Sequence, residues 1–351
     1  MVKRIYREPF LSPSIFTYFK EGEISYPFDQ KSVRFYGYGR VALLDGLRLM
    51  DIKEGENVLL PEYVCNTVIA PMHLLKLKVN FYEVDENLTP RWETLKPDAK
   101  TRALLVINYF GFPSELETAK KFCLKNDLYL IEDNAHGFLS RSSRASLGSD
   151  GDISIFSFRK TVGLPNGAAL LINNALLQKR SISPSLTKKR KILWFFAKTI
   201  LHNLESLSGF SSGRPEDETK CGLEKEEEFN IEKMLEHPCG ASLWMVRHLN
   251  FKKIADIRRK MYQQWLIFFK NNQGKARPIF PVLPEGAVPY IFPVLTEDRK
   301  GLISKMRESK IGVFPWPCLP EDSQESYFSK RMVCLPVSVK FEIKNFLKHG
   351  I

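Results

Sequence analysis

The sequence is poor in the residues that staple or metallate small folds. Its 351 residues include only six cysteines and six histidines. Cys65, Cys123, Cys221, Cys239, Cys318 and Cys334 are scattered, with no C-x-x-C pair and no histidine at metal-ligand spacing. That pattern excludes a disulfide framework and a zinc site. No apolar run approaches the roughly 20 residues of a membrane-spanning helix. Residues 1–10 are charged and broken by Pro9, so they lack the apolar core of a signal peptide. No helix-turn-helix, zinc-finger or RNP-like motif is present to read bases, and there is no internal repeat. The expectation is a cytoplasmic protein with no integral membrane contact and no nucleic acid among its partners.

What is present suits a large globular fold: 44% of residues are hydrophobic and 12% aromatic. A large domain over 1–250, with an insertion at 180–235, and a small domain over 251–351 are expected. The formal net charge of +12, from 52 Lys and Arg against 40 Asp and Glu, favours an anionic partner. Without base-reading motifs, a phosphate-bearing small molecule comes first. Within the insertion, KKRKILWFFAKTILHNL at 188–204 reads as a basic amphipathic helix bearing Trp194, Phe195 and Phe196. Such a helix can lie on a membrane surface, but more often packs on its own protein or a twin subunit.

From residue 57 the chain alternates. Apolar strands are expected at 57–61, 79–85, 103–110 and 128–133, with helices at 66–77 and 114–126 between them. This pattern predicts an α/β fold with a mostly parallel central sheet covered by helices on both faces. Ligands of such sheets bind at the carboxyl ends of the strands, where Glu132 and Asp133 fall. Two further runs, 153–158 and 168–173, flank a turn containing Pro165, Asn166 and Gly167, and Lys160 sits where the chain turns. A long helix over 249–269 leads to an α+β cap, with strands expected at 289–295 and 311–314 and a helix at 299–309.

Three pieces point to chemistry. Gly37 and Gly39 loosen the chain before a helix whose Leu43, Leu47 and Met50 share one face, giving a helix start able to bind an anion. The same glycines with Ala42, and Glu62 further on, also fit a dinucleotide fingerprint, although the preceding run carries Lys31 and Arg34 where a doubly buried strand is required. Asp133 is followed three residues later by His136, and Lys160 lies beyond. Pyridoxal 5'-phosphate needs such a set: backbone donors for its phosphate, a carboxylate for its ring nitrogen and a lysine for its aldehyde. Seen singly, Asp133 reads as a turn residue, His136 as a satisfied core histidine and Lys160 as a solvated surface lysine.

Over about residues 30–340 the sequence resembles the DegT/DnrJ/StrS-type sugar aminotransferases of the fold type I pyridoxal-phosphate enzymes. The motifs that carry the likeness are Gly39-Arg40-Val41-Ala42-Leu43, ENVLLP at 56–61, IEDNAHG at 131–137, the run from Gly151 through Ser157 to Lys160, and IADIRRKMY at 254–262. The resemblance implies that Lys160 binds the cofactor's aldehyde and then moves the substrate proton. It implies that Asp133 pairs with the ring nitrogen, that His136 lies by the ring hydroxyl, and that the backbone of Gly39 and Arg40 with the Ser157 hydroxyl holds the phosphate. It further implies a homodimer, an amino-acid donor such as glutamate, and a nucleotide-linked keto sugar as acceptor, in surface polysaccharide or glycoconjugate synthesis.

Three positions depart from the family pattern. The spacing Ser157-Phe158-Arg159-Lys160 is two residues shorter than usual. The aromatic residue that stacks on the cofactor ring falls at or near Cys65, with Tyr63 the nearest aromatic. Gly240-Ala241-Ser242 replaces the Asn-Tyr-Arg signature. Arg159, Arg258 and Arg259 are candidates for phosphate or subunit contacts, with solvent exposure the default for each. Other readings are another pyridoxal-phosphate sugar enzyme or a non-catalytic ligand-binding scaffold. Family members that dehydrate their sugar replace the lysine, and Lys160 is present here.

Overall fold

The computed structural model describes residues 26–185, 235–272, 276–309, 311–313 and 327–338. The basic stretch at 188–204 and most of the 180–235 insertion lie outside them.

Seven strands form the main sheet: β1 (Val33–Tyr36), β2 (Asn57–Pro61), β3 (Lys78–Tyr82), β4 (Thr101–Ile107), β5 (Tyr129–Asn134), β6 (Ile153–Phe156) and β7 (Ala168–Ile172), in the order β1-β7-β6-β5-β4-β2-β3. Strands β3, β2, β4, β5 and β6 pair in parallel, while β7 runs antiparallel to β6 and β1 antiparallel to β7. The expected α/β architecture is therefore present. Every residue of β2, β6 and β7 is buried, as strands covered on both faces must be, and these are the continuous apolar runs of the sequence. The edge strands are half-exposed and carry Arg34 and Lys78, charges that discourage pairing with another chain.

That edge position removes the dinucleotide reading. A dinucleotide fingerprint follows a central parallel strand, whereas β1 is an antiparallel edge strand leading into α1 (Gly39–Met50). Nine of the twelve residues of α1 are buried, and the helix packs on β1, β6, β7 and α2 (Asn66–Leu74). Helix α3 (Leu116–Asn126) covers β4 and β5. Asp51 and Asp127, both in the left-handed region, end α1 and α3.

After β6 come the one-turn helices α4 (Phe158–Thr161) and α5 (Ala175–Gln178), then α6 (Gly240–His248) and the long α7 (Phe251–Asn271). Helix α7 buries Met261, Tyr262, Trp265 and Phe269 and joins a three-stranded antiparallel sheet, β10-β9-β8, made of β8 (Ala276–Pro278), β9 (Phe292–Thr296) and β10 (Met332–Leu335). Helices α8 (Arg299–Glu308) and α9 (Tyr327–Arg331) pack on it. Of the strand expected at 311–314, Ile311 and Val313 are buried and the Ile311 N–H donates to the Met306 carbonyl at the end of α8, while residue 314 lies outside the described residues; β9 is flanked by β8 and β10. Among the described residues no helix is long and apolar enough to cross a membrane, and no cluster of three or more His, Cys, Asp or Glu could hold a metal.

Candidate active site

Strands β4, β5 and β6 end side by side, and the site is built on their carboxyl ends. Asp133, next to last in β5, stands in register between Ile107 of β4 and Ile155 of β6. It is 7% exposed, and its Oδ1 accepts the Ala135 N–H at 2.8 Å, a local turn that sends the chain back over the sheet end. Burial pushes the Asp133 carboxyl above its ordinary range, against the opposing pull of the Ala135 N–H and the Lys160 charge.

That turn delivers His136. Its ring runs nearly parallel to those of Phe110, at 5.5 Å and 8°, and Tyr290, at 4.7 Å and 14°. The Phe110 N–H donates to its Nδ1 at 3.4 Å. Burial, with the Lys160 charge beside it, holds His136 well below the usual histidine range, so the ring is neutral.

Lys160 arrives from the opposite side. Strand β6 ends at Phe156, Ser157 breaks the extended run with φ −129° and ψ 83°, and α4 makes a single turn before Val162 returns to β geometry. Phe158 is fully buried among Phe28 and Phe138. Two residues further round a helix is nearly the opposite face, so anchoring Phe158 in the core turns Lys160 out of it. Lys160 Nζ lies 3.1 Å from His136 Nε2.

The fourth piece is the start of α1. Its first turn holds no acidic residue to offset the positive end of the helix, and Tyr38 caps it without a side-chain hydrogen bond. A Cβ built on Gly39 would come 3.9 Å from Ser157 Cβ and 3.6 Å from Ile155 Cγ2. Gly39 and Ser157 are therefore neighbours across the ends of α1 and β6, and the Arg159 guanidinium lies over the Tyr38 ring at 5.5 Å.

The other expected residues lie as follows. Tyr63 is fully buried, its ring 4.8 Å from Phe328 and its hydroxyl donating to Met332 Sδ at 3.2 Å. Cys65 is half-buried at the start of α2, its Sγ accepting from Thr67 Oγ1 at 3.3 Å. Arg258 corrects the expectation of exposure: it is 1% exposed and donates to backbone carbonyls. Phe110, Tyr290 and Glu132 belong to the site or its support and were not singled out for these roles by sequence. Phe110 holds a left-handed backbone, φ 55°, that no glycine announces, and Tyr290 lies in a run, PYIFPVL, that reads as strand alone.

The family model of the DegT/DnrJ/EryC1/StrS aminotransferases matches residues 36–333. The chain belongs to this family. Over 266 residues this DegT/DnrJ/EryC1/StrS family member is 25% identical to the dTDP-4-dehydro-2,3,6-trideoxy-D-glucose 4-aminotransferase of Saccharopolyspora spinosa, covering 74% of this chain and 64% of the relative. Over 154 residues it is 29% identical to the GDP-perosamine synthase of Escherichia coli O157:H7, covering 41% of each. The match thus spans less than two thirds of the length of these curated relatives. Among solved structures, the aminotransferase TlmJ of Streptoalloteichus hindustanus superposes with a TM-score of 0.68 at 15% identity, covering 99% of this chain and 97% of that one. PseC of Helicobacter pylori gives 0.66 at 16%, covering 99% and 96%. At these identities the likeness is one of fold, and the fold is that of the fold type I pyridoxal-phosphate transferases.

Proposed function

We propose that the chain is a pyridoxal 5'-phosphate-dependent aminotransferase that moves an amino group from an amino-acid donor, glutamate, to a nucleotide-linked keto sugar. The observation that carries this reading is the contact of Lys160 with the neutral ring of His136, beside the buried Asp133. Family membership and the aminotransferase relatives support it. The sugar-nucleotide names of those relatives support the acceptor class and a role in surface polysaccharide or glycoconjugate synthesis.

The residues present fit the cofactor. A buried carboxylate whose pKa is raised by desolvation gains from a cationic partner, and a ring nitrogen held protonated is one. The start of α1, whose first turn carries no acidic residue, and the adjoining Ser157 hydroxyl suit a phosphate dianion. Pyridoxal phosphate supplies, when bound, an aldehyde that takes up the amine and a ring that accepts the electron pair of the substrate carbon.

The chain's own residues do the rest. Lys160 would bind the aldehyde and, once displaced by the donor's amine, serve as the base that lifts and returns the proton at the substrate carbon. Asp133 would hold the ring nitrogen, Gly39, Arg40 and Ser157 the phosphate, and His136 one edge of the ring. Cys65 and Tyr63 stay as the candidates for its face, with Cys65 the more accessible. The same reading takes the protein as a cytoplasmic homodimer, with a large unit to about residue 250 and a small unit over 251–351.

The test is the absorbance spectrum of the purified protein with pyridoxal phosphate, before and after glutamate, for the natural sequence and Lys160→Ala. A band that glutamate shifts in the natural protein alone is the expected result. No lysine-dependent band in the natural protein would leave the scaffold reading in its place.

A further inference from the structure

Arg258 is the one cation in the described structure that is fully buried yet used by nothing in the reading above. Its guanidinium meets no carboxylate among the described residues. Nη2 donates to the Thr161 carbonyl at 2.7 Å, and Nη1 donates to the carbonyls of Pro289 at 3.1 Å and Tyr290 at 2.9 Å. Nε is buried without a partner. Burial pulls the guanidinium down to about 10, the cost of holding a cation on carbonyl dipoles alone.

The acceptors say what that charge is for. Thr161 follows Lys160 in the single turn of α4, so one arm of the fork grips the lysine's own turn. Pro289 and Tyr290 belong to the strap leading into β9, and the Tyr290 ring covers one face of His136. The strap is tied to the far side as well: the Tyr290 N–H donates to the Phe110 carbonyl at 2.8 Å, while Phe110 N–H reaches His136 Nδ1. One guanidinium thus spans the segment that carries Lys160 and the segment that fixes the His136 ring. A planar fork reaches carbonyls on two segments from separate nitrogens, whereas an ammonium must serve them all from one atom.

We infer that Arg258 is a positioning residue for the Lys160–His136 contact, joining the lysine's turn to the strap that clamps the histidine. The clamp also selects a tautomer. With Nδ1 accepting from the Phe110 N–H, a neutral ring carries its proton on Nε2, so the 3.1 Å contact becomes a hydrogen bond when Lys160 Nζ gives up its own proton and accepts it. Among the described residues, Asp133 acts on Lys160 electrostatically, and Arg159 precedes Lys160 in α4 with its guanidinium over Tyr38. The inference rests on the aminotransferase reading for the importance of Lys160, while the geometry it describes needs no cofactor.

The experiment is nitrogen-15 spectroscopy of histidine-labelled full-length protein without added cofactor, with His136 assigned by His136→Gln. The natural protein should show an unprotonated Nδ1 and a protonated Nε2 at His136. Arg259→Met should leave that signature unchanged, because Arg259 ties only Pro284 and Ala287 of the same strap. Arg258→Met should move it to a mixture of tautomers. Should Arg258→Met not fold, Arg258→Lys, which keeps the charge but loses the fork, should give the same change in part. A natural signature retained in either folded Arg258 variant, or the opposite tautomer in the natural protein, would overturn the inference. Failure to take up pyridoxal phosphate would instead remove the aminotransferase reading and leave this result standing.

Discussion

Lys160 Nζ and His136 Nε2 meet at 3.1 Å although 24 positions and the whole of strand β6 separate them in the chain. The contact joins the two sides of the sheet end, and its consequence for pH follows from the depressed pKa of His136. An unfolded histidine takes a proton near pH 6.5, whereas the folded ring resists it to well below that value. The unfolded state therefore binds the extra proton first, and stability is full above pH 6.5 and falls as pH drops below it. The loss approaches about 1.4 kcal/mol per pH unit inside that window. Urea unfolding at pH 7.0 and 5.5 should show the loss in the natural protein and a flatter dependence in His136→Gln.

The Ser157 hydroxyl can be tested apart from stability. It makes no capping bond to α4, so removing it should cost the fold little. If it holds phosphate beside Gly39, Ser157→Ala loses a hydrogen bond to a charged group, worth about 1.5–3 kcal/mol. Pyridoxal-phosphate affinity should then fall by roughly 10- to 150-fold, with the melting temperature within a few degrees of the natural protein. A drop in both, or in neither, would place the phosphate elsewhere.

These residues differ in how far the sequence exposes them. The alternating apolar runs are legible because strands buried on both faces leave no other composition open to them, and the order Asp133, His136, Lys160 is legible because each has a chemical reason to follow a strand end. The start of α1 was visible through its glycines. What surrounds the histidine was not. Phe110 reaches His136 through a left-handed backbone without a glycine, Tyr290 comes from 154 residues away by a strap with no regular structure, and Arg258 lies on a helix face that looks amphipathic and solvated. Strand β10 escaped for a similar reason: four residues, MVCL, carry too little pattern to compete with the nearer run after α8.

Glu132 is the neighbour of Asp133 on the other face of β5, and it works for the fold. Fully buried, it accepts Asn108 Nδ2 at 2.9 Å and the N–H groups of Gly148 at 2.6 Å and of Asp150 and Gly151 at 3.2 Å. Both carboxylate oxygens face donors, so an amide there must turn its NH2 group toward N–H groups. Glu132→Gln should lose about 2–4 kcal/mol in denaturant unfolding, because it leaves buried donors unmatched. The loop entering β6 hangs on these bonds, so amide exchange at 148–151 should accelerate while exchange in β2 stays slow.

The strap over His136 has its own point of failure at Gly111. Its φ of +90° is one that side chains rarely adopt, and a Cβ built there would come within 2.4 Å of the Val288 carbonyl oxygen. That oxygen is backbone, and Ser140 pins the same residue, accepting its N–H at 2.9 Å and approaching its carbonyl at 3.2 Å. The strap cannot give way at one atom without lifting along its length. Gly111→Ala should therefore cost about 2–4 kcal/mol, combining backbone strain with a steric displacement. It should also loosen the Tyr290 stack on His136, so the variant's remaining folded fraction should show the histidine tautomer mixture expected of Arg258→Met. Gly55 offers the control: its φ is +82°, but nothing lies within 4 Å of the added carbon. Gly55→Ala should show the strain alone, about 1 kcal/mol, with the His136 signature intact. Equal losses at the two positions would mean that the strap yields freely and that its grip on His136 is weaker than its contacts imply.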